Sequence, residues 1–161
     1  MYRILLTLMI LLTLMLAGAL LGVSNAAIAD IESELVTYRI VTEDSEEIRE
    51  ETNAVSPNDV IEYELRYTNV SERPITGLRI VGPIPTETTY IANSASASIM
   101  TSLEVSIDGG TSFAAEPLIV TDSSGTQTEI SADEYTQIRW NSLVGIQPGE
   151  THVFTYRVVV N

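Results

Sequence analysis

Two stretches in the second half of the sequence concentrate the acidic and small polar residues that bind cations. The first, SIDGGTSF, covers residues 106–113, and the second, TDSSGTQTEISADEY, covers residues 121–135. Calcium takes six to eight oxygen ligands, often from Asp at alternate positions and from a bidentate Glu. Asp122 and Ser124 begin such a series, but no Glu follows at the closing position. A solvated loop is therefore one interpretation, and a calcium site is the alternative, with the candidate ligands Asp122, Glu129, Asp133 and Glu134.

The glycine pair in SIDGGTSF fits a chain reversal better than a phosphate site. A phosphate-binding loop opens a helix and often uses a Lys, whereas no helical pattern follows this stretch and the chain contains no Lys. Asp-Gly and Gly-Gly adopt the positive dihedral angles that hairpin turns need. Residues 108–110 are accordingly predicted to form the corner of a hairpin.

The remaining residue types give little support for catalysis. Cysteine is absent, which excludes disulfides, thiolate catalysis and zinc-thiolate sites, and His152 is the only histidine. A small hydrolase would need a serine beside His152, but no G-x-S-x-G elbow is present. His152 is predicted to be a packing residue at the start of a strand, and Trp140 a core residue that would stack on carbohydrate only if exposed. We expect a protein without enzyme activity, with no catalytic residue and no cofactor.

The acidic net charge argues against two classes of partner. The 161 residues include 8 basic and 22 acidic side chains, giving a net charge of −14. Nucleic-acid binding requires a basic face, and docking on anionic lipid requires basic clusters. We therefore expect neither a nucleic-acid partner nor electrostatic binding to a membrane.

The N-terminal stretch has the pattern of an export signal. Arg3 precedes an apolar run over residues 4–23, and Ala27-Ile28-Ala29 supplies a small-x-small cleavage site. The sequence predicts a signal helix within residues 1–29, with cleavage between Ala29 and Asp30. An uncleaved anchor is the alternative, because the run could span a bilayer, and it would be the only contact with the membrane. Residues 30–161 are expected in the periplasm, at the cell surface or in the medium.

Beyond residue 30, apolar residues recur with a period of two, which predicts strands. In VIEYELRY (60–67), Ile61, Tyr63, Leu65 and Tyr67 are expected to face inward, and Glu62, Glu64 and Arg66 outward. In HVFTYRVVV (152–160), Phe154, Tyr156, Val158 and Val160 are expected to share one face. The complete set of candidate strands is 35–42, 60–67, 78–82, 88–92, 102–107, 117–121, 136–141 and 152–160. About seven to nine strands separated by turn residues predict an all-β, antiparallel β-sandwich that forms one domain over residues 30–161.

Two further segments carry specific expectations. EDSEEIREE (43–51) holds six carboxylates, and a run of this kind is usually a solvated loop. Asn69-Val70-Ser71 matches a glycosylation sequon, which matters only in a host that glycosylates.

The order of turn and strand signals resembles the conserved-repeat family of prokaryotic envelope proteins, also catalogued as domain of unknown function eleven. The signals are Pro57-Asn58-Asp59, Tyr63, Thr68-Asn69, Pro83-Ile84-Pro85, Ser94-Ala95, Ser106 with Asp108-Gly109-Gly110, Arg139-Trp140 and Pro148-Gly149. The resemblance covers roughly residues 35–160. It implies an immunoglobulin-like sandwich used as a spacer or adhesive module, without catalytic residues.

These observations together predict an exported, non-enzymatic module with a structural or protein-interaction role in the cell envelope. Its partner would be an envelope or extracellular protein. A calcium-dependent or carbohydrate-binding module is the alternative, with Asp122, Glu129, Asp133 or Trp140 as the positions to test.

Overall fold

Residues 30–161, the part of the chain that the computed structural model describes, form an all-β fold of antiparallel strands. No α-helix occurs in this range, and no helix within it has the length and apolar character needed to cross a bilayer. The predicted signal helix and Ala29 lie outside the described residues. The elements are β1 (Ile31–Glu43), β2 (Glu46–Glu51), β3 (Val60–Asn69), β4 (Arg79–Pro83), β5 (Thr88–Tyr90), β6 (Ser96–Ala97), β7 (Thr101–Ser106), β8 (Ala114–Ala115), β9 (Ile119–Thr121), β10 (Gln127–Glu129), a 3₁₀ helix (Ala132–Glu134), β11 (Gln137–Ser142) and β12 (Thr151–Val160).

The eight predicted strands are all present, but the expected total of seven to nine is wrong. Twelve strands occur among residues 30–161. The four additional ones are β2, β6, β8 and β10. Three of these have two or three residues, too short to display a period, and β2 lies in the acidic segment predicted to be a loop.

The strands form two larger sheets and one hairpin. The six-stranded sheet has the order β2-β1-β3-β12-β5, with β6 also paired to β12. The four-stranded sheet has the order β4-β11-β7-β8, and β9 pairs with β10. Every pairing is antiparallel.

The buried core is built from both larger sheets. Phe154 and Tyr156 of β12 lie with their ring centroids 5.7 and 6.1 Å from that of Trp140 in β11. Gly82 of β4 allows a close approach between the sheets, because a Cβ atom there would lie 2.8 Å from the Tyr156 ring. The Tyr156 hydroxyl donates a 2.6 Å hydrogen bond to the Pro83 carbonyl. The face predicted for β12 is thus confirmed, since Phe154, Tyr156 and Val158 are buried.

The described chain enters and leaves the fold at opposite ends of β3. Ile31 pairs with Asn69 at one end, which we call the entry end, and Val159 pairs with Val60 at the other, which we call the exit end. Asn69, completely buried, connects the loops of the entry end. Its side-chain amide nitrogen, Nδ2, donates to the carbonyls of Arg73 and Ile146 at 2.8 and 2.9 Å. The sequon asparagine is therefore inaccessible in the folded protein.

Candidate functional site

The SIDGGTSF segment is the hairpin corner that the sequence predicted. It joins β7 to β8, which pair antiparallel through Val105 and Ala114. Gly109 and Gly110 have positive φ angles of 69° and 88°. The loop is longer than a two-residue turn, and the Asp108 carboxylate organises it.

The Asp108 carboxylate forms its hydrogen bonds with residues of its own loop. Its carboxylate accepts the Ser112 hydroxyl at 2.6 Å, the Ser112 amide at 2.9 Å and the Ser106 hydroxyl at 2.7 Å. The bonds from Ser112, followed by that from Ser106, lower the pKa of Asp108 to about 2. The group therefore stays ionised to hold the corner together.

The calcium candidates are spread over three elements. Asp122 lies at the β9–β10 turn, Glu129 lies in β10, and Asp133 and Glu134 lie in the 3₁₀ helix. The Asp122 carboxylate accepts the amides of Ser124 and Thr126 at 2.8 and 2.9 Å, and hydrogen bonds led by the Ser124 hydroxyl lower its pKa. Over residues 30–161, no group of three or more His, Asp or Glu side chains is placed to hold a metal ion.

Trp140 offers no stacking surface. Only 1% of the residue is exposed, because it packs between Phe154 and Tyr156 in the core. The expectation of a core tryptophan is confirmed, and a carbohydrate ligand cannot reach its ring in this fold.

One serine does lie beside the histidine, a contact that the sequence did not predict. The Ser98 hydroxyl lies 3.2 Å from His152 Nδ1, and His152 Nε2 lies 3.4 Å from Glu150 Oε2. Ser98 and Glu150, which lie on either side of the His152 ring, also accept hydrogen bonds from backbone amides. Ser98 Oγ accepts the Val153 amide at 2.9 Å, and Glu150 Oε2 accepts the Gln147 amide at 2.8 Å. The arrangement therefore joins β12 to the segment after β6 and closes the turn before β12, so we interpret it as structural.

The most densely charged region is the outer face of the six-stranded sheet, opposite the core. Ion pairs there form a continuous chain of alternating sign, which we call the outer-face network. Its members, in order of contact, are Glu47, Arg157, Glu62, Arg49, Glu64, Arg66 and Glu34. Arg157 joins Glu47 at 2.9 Å and Glu62 at 2.8 Å.

Arg49 holds the centre of the outer-face network. Its guanidinium lies 4.0 Å from the centroid of the Tyr38 ring and 2.8 Å from Glu62, and it also bonds Glu64. Burial raises the pKa of Glu64, but the hydrogen bonds from Arg49 and Arg66 outweigh it, so that the pKa lies below its usual value. The two arginines thus keep the buried Glu64 carboxylate ionised.

One expectation about this region is wrong, because the segment predicted to be a loop, 43–51, contains strand β2. Glu62 and Glu64 face away from the core as predicted, yet they are only 7% and 5% exposed. The cause is the β1–β2 hairpin. Because β1 and β3 separate β2 from β12 in the sheet, the Glu47–Arg157 contact requires β2 to bend over the outer face.

The residues of the hairpin turn explain why β2 was not predicted from the sequence. Asp44 and Ser45 connect Glu43 to Glu46 with φ angles of 50° and 70°. Two consecutive positive φ angles define a type I′ turn, which normally uses Asn-Gly or Asp-Gly. Asp-Ser is a weak signal for a type I′ turn, and the run of carboxylates around it is typical of a solvated loop, so the strand was not recognised.

Comparisons with family models, with curated proteins and with solved structures found no match to this chain. The resemblance to the conserved-repeat family therefore stays a prediction based on the sequence motifs.

Proposed function

We propose that residues 30–161 form an exported, non-enzymatic β-sandwich of the immunoglobulin-like type, with a structural or protein-interaction role in the cell envelope. It acts by surface complementarity toward an envelope or extracellular protein. It uses no cofactor in this role.

The observation that carries this proposal is the position of Asp30 and Asn161 in the fold. Asp30 lies at the entry end, next to Val70, and Asn161 lies at the exit end, next to Glu87. Because Asp30 and Asn161 lie at opposite ends of β3, this arrangement is compatible with a spacer or connecting role.

The hydrogen bonds of the polar side chains support a non-catalytic role. Asp108 and Asp122 bind the amides of their own loops, and Glu150 and Ser98 bind backbone amides next to His152. A catalytic group must instead face a bound substrate with its reactive atom free. The sandwich assignment is supported by the rings of β11 and β12 that meet in one core.

Cell fractionation with mass analysis of the recovered chain tests the proposal. We expect the chain in the envelope, at the surface or in the medium, starting at Asp30, and cross-linked to a second protein by photoreactive residues on its surface. An intact chain confined to the cytoplasm would overturn the proposal. Hydrolysis of ester substrates that disappears in Ser98→Ala would also overturn it, since that result would make the His152 contact catalytic.

A further inference from the structure

We propose that strand β2 is the docking edge for a partner, and that the partner is an extended, basic segment that adds a strand to the six-stranded sheet. This inference rests on the proposed interaction role and specifies both the surface and the chemistry of the ligand. Strand addition is a common mode of peptide recognition, in which main-chain hydrogen bonds give affinity and alternate side chains give specificity.

The backbone of β2 is available along one side. β2 lies at the end of the strand order, with β1 as its only partner among residues 30–161. The Thr52 amide donates to Thr37, and hydrogen-bonded pairs alternate along an antiparallel ladder. The amides of Glu46, Ile48 and Glu50 therefore face β1, and those of Glu47, Arg49 and Glu51 face outward.

Most other edge strands in the described chain are short or lack amide donors. β4 ends in Pro83, and Pro85 follows two residues later, so amide donors are missing there. β5, β6, β8, β9 and β10 have only two or three residues. β2 has six residues and no proline, which is long enough for a partner strand to form several hydrogen bonds.

The side chains of β2 select the partner by charge. Four of its six residues are glutamates, two on each face of the strand. Like charges placed directly opposite one another in a sheet are destabilising, so this edge repels a second copy of itself. Charge on an edge strand is a known protection against such self-pairing, and it leaves basic strands as the compatible class.

The arrangement also defines a pattern in the partner. Glu46 and Glu50 flank the partly exposed Ile48 on one face, and Glu47 and Glu51 flank Arg49 on the other. Glu46 and Glu51 make no ion pair with residues 30–161. A fitting segment carries Arg or Lys toward both ends and an apolar side chain at the centre, opposite Ile48.

Amide hydrogen exchange on the ¹⁵N-labelled full chain, with the capped peptide RRVTRR as probe, tests the inference. Bound peptide should slow exchange at Glu47, Arg49 and Glu51 by more than about tenfold, since those amides become hydrogen-bonded. Exchange at Glu46, Ile48 and Glu50, already bonded to β1, should stay within about twofold of its free rate. Protection without this alternation, or shifts scattered over the acidic surface, would overturn the proposal.

Two N-methylated peptides separate strand pairing from simple charge attraction. Methyl groups on the alternate amides that face β2 should abolish binding, and methyl groups on the other set should leave it unchanged. Equal binding by both peptides would show that only charge is recognised, and would refute the docking edge.

A matched pair of variants at Glu51 provides the same separation on the protein. Glu51→Pro removes an outward amide and should weaken binding about threefold to tenfold, the effect of one lost hydrogen bond. Glu51→Gln keeps the amide and should weaken it less than about threefold. If Glu51→Pro binds the peptide as tightly as the parent chain, the assignment of the edge fails, while export and cross-linking of the chain would still support the proposed function.

Discussion

The two faces of the six-stranded sheet bury their residues by different means. On the inner face, Phe154 and Tyr156 lose contact with water because the second sheet covers them with Trp140. On the outer face, Glu62 and Glu64 are almost as deeply buried, under arginines carried by β2, β3 and β12. The same alternation along β3 and β12 thus supplies a dry aromatic core and an ionic layer.

Alternation therefore assigns a residue to a face of the sheet and does not determine its exposure. Leu35 of β1 is aligned with Leu65 on the inner side of the sheet, yet it is 61% exposed, so no other element covers it in the described chain. Exposure depends on which element covers a position. On the outer face that element is the β1–β2 hairpin.

Truncation of the inner face should have the largest effect. Phe154→Ala removes a completely buried ring that packs on Trp140 and, edge to face, on Tyr67. We expect a loss of about 3–5 kcal/mol in the free energy of unfolding, the usual cost of a large-to-small change in a core. Urea denaturation followed by tryptophan fluorescence measures it, and Leu35→Ala, on the same side but exposed, is the control and should cost far less.

Removal of a buried charge from the outer face should have an intermediate effect. Glu64→Gln takes away the carboxylate that binds Arg49 and Arg66, and we expect a loss of about 1–3 kcal/mol. The cost stays below that of the core change because both arginines remain partly exposed and can rehydrate. Glu34→Gln removes the exposed partner of the same Arg66 and should leave the urea midpoint nearly unchanged; a loss equal to that of Glu64→Gln would mean that burial is irrelevant to this network.

Acid should weaken the outer face before it affects the inner one. The pKa of Glu64 is lowered in the folded protein, because the bonds from Arg49 and Arg66 outweigh the effect of burial. Its stabilisation is therefore complete above the ordinary pKa of a Glu, about 4.3, and is lost as the pH falls through the lower folded value. The difference in Tm between the parent chain and Glu64→Gln should shrink from pH 6 to pH 3, and a constant difference would contradict this linkage.

Sequence reasoning succeeded where a residue's surroundings depend on its own strand. Alternation predicted the core positions Ile61, Phe154 and Tyr156, and the Asp-Gly-Gly signal predicted the corner at Asp108. It failed where the surroundings come from a distant segment. Burial of Glu62 requires Arg49 and Arg157, separated from it by 13 and 95 residues in the chain. The contact of Ser98 with His152 depends on the pairing of a two-residue strand, β6, that shows no period of its own.

A small gain in the free energy of unfolding is expected at the turn of the β1–β2 hairpin, which covers the outer face. Ser45 has a φ of 70°, a conformation that disfavours most residues other than glycine. Ser45→Gly should raise the free energy of unfolding by about 0.5–1 kcal/mol, because relief of strain exceeds the added flexibility of the unfolded chain. Ser45→Ala is the control and should give no gain; equal stabilisation by both would show that the turn is not strained.

The smallest effect on stability is expected on the inner side of the hairpin, where an ion pair is partly exposed to solvent. Arg39 and Glu50 form a 2.7 Å ion pair there, with side chains 41% and 43% exposed. Exposed pairs of this kind contribute little, since water solvates both charges, so Glu50→Gln should change Tm by less than about 2 °C for a domain of this size. The measurement is a thermal melt of the parent chain and of Glu50→Gln at low and at high NaCl concentration. A clearly larger loss of Tm at low salt would mean that another element or molecule covers this side of the hairpin in the native protein. The contrast between a covered outer face and an uncovered inner side would then be wrong.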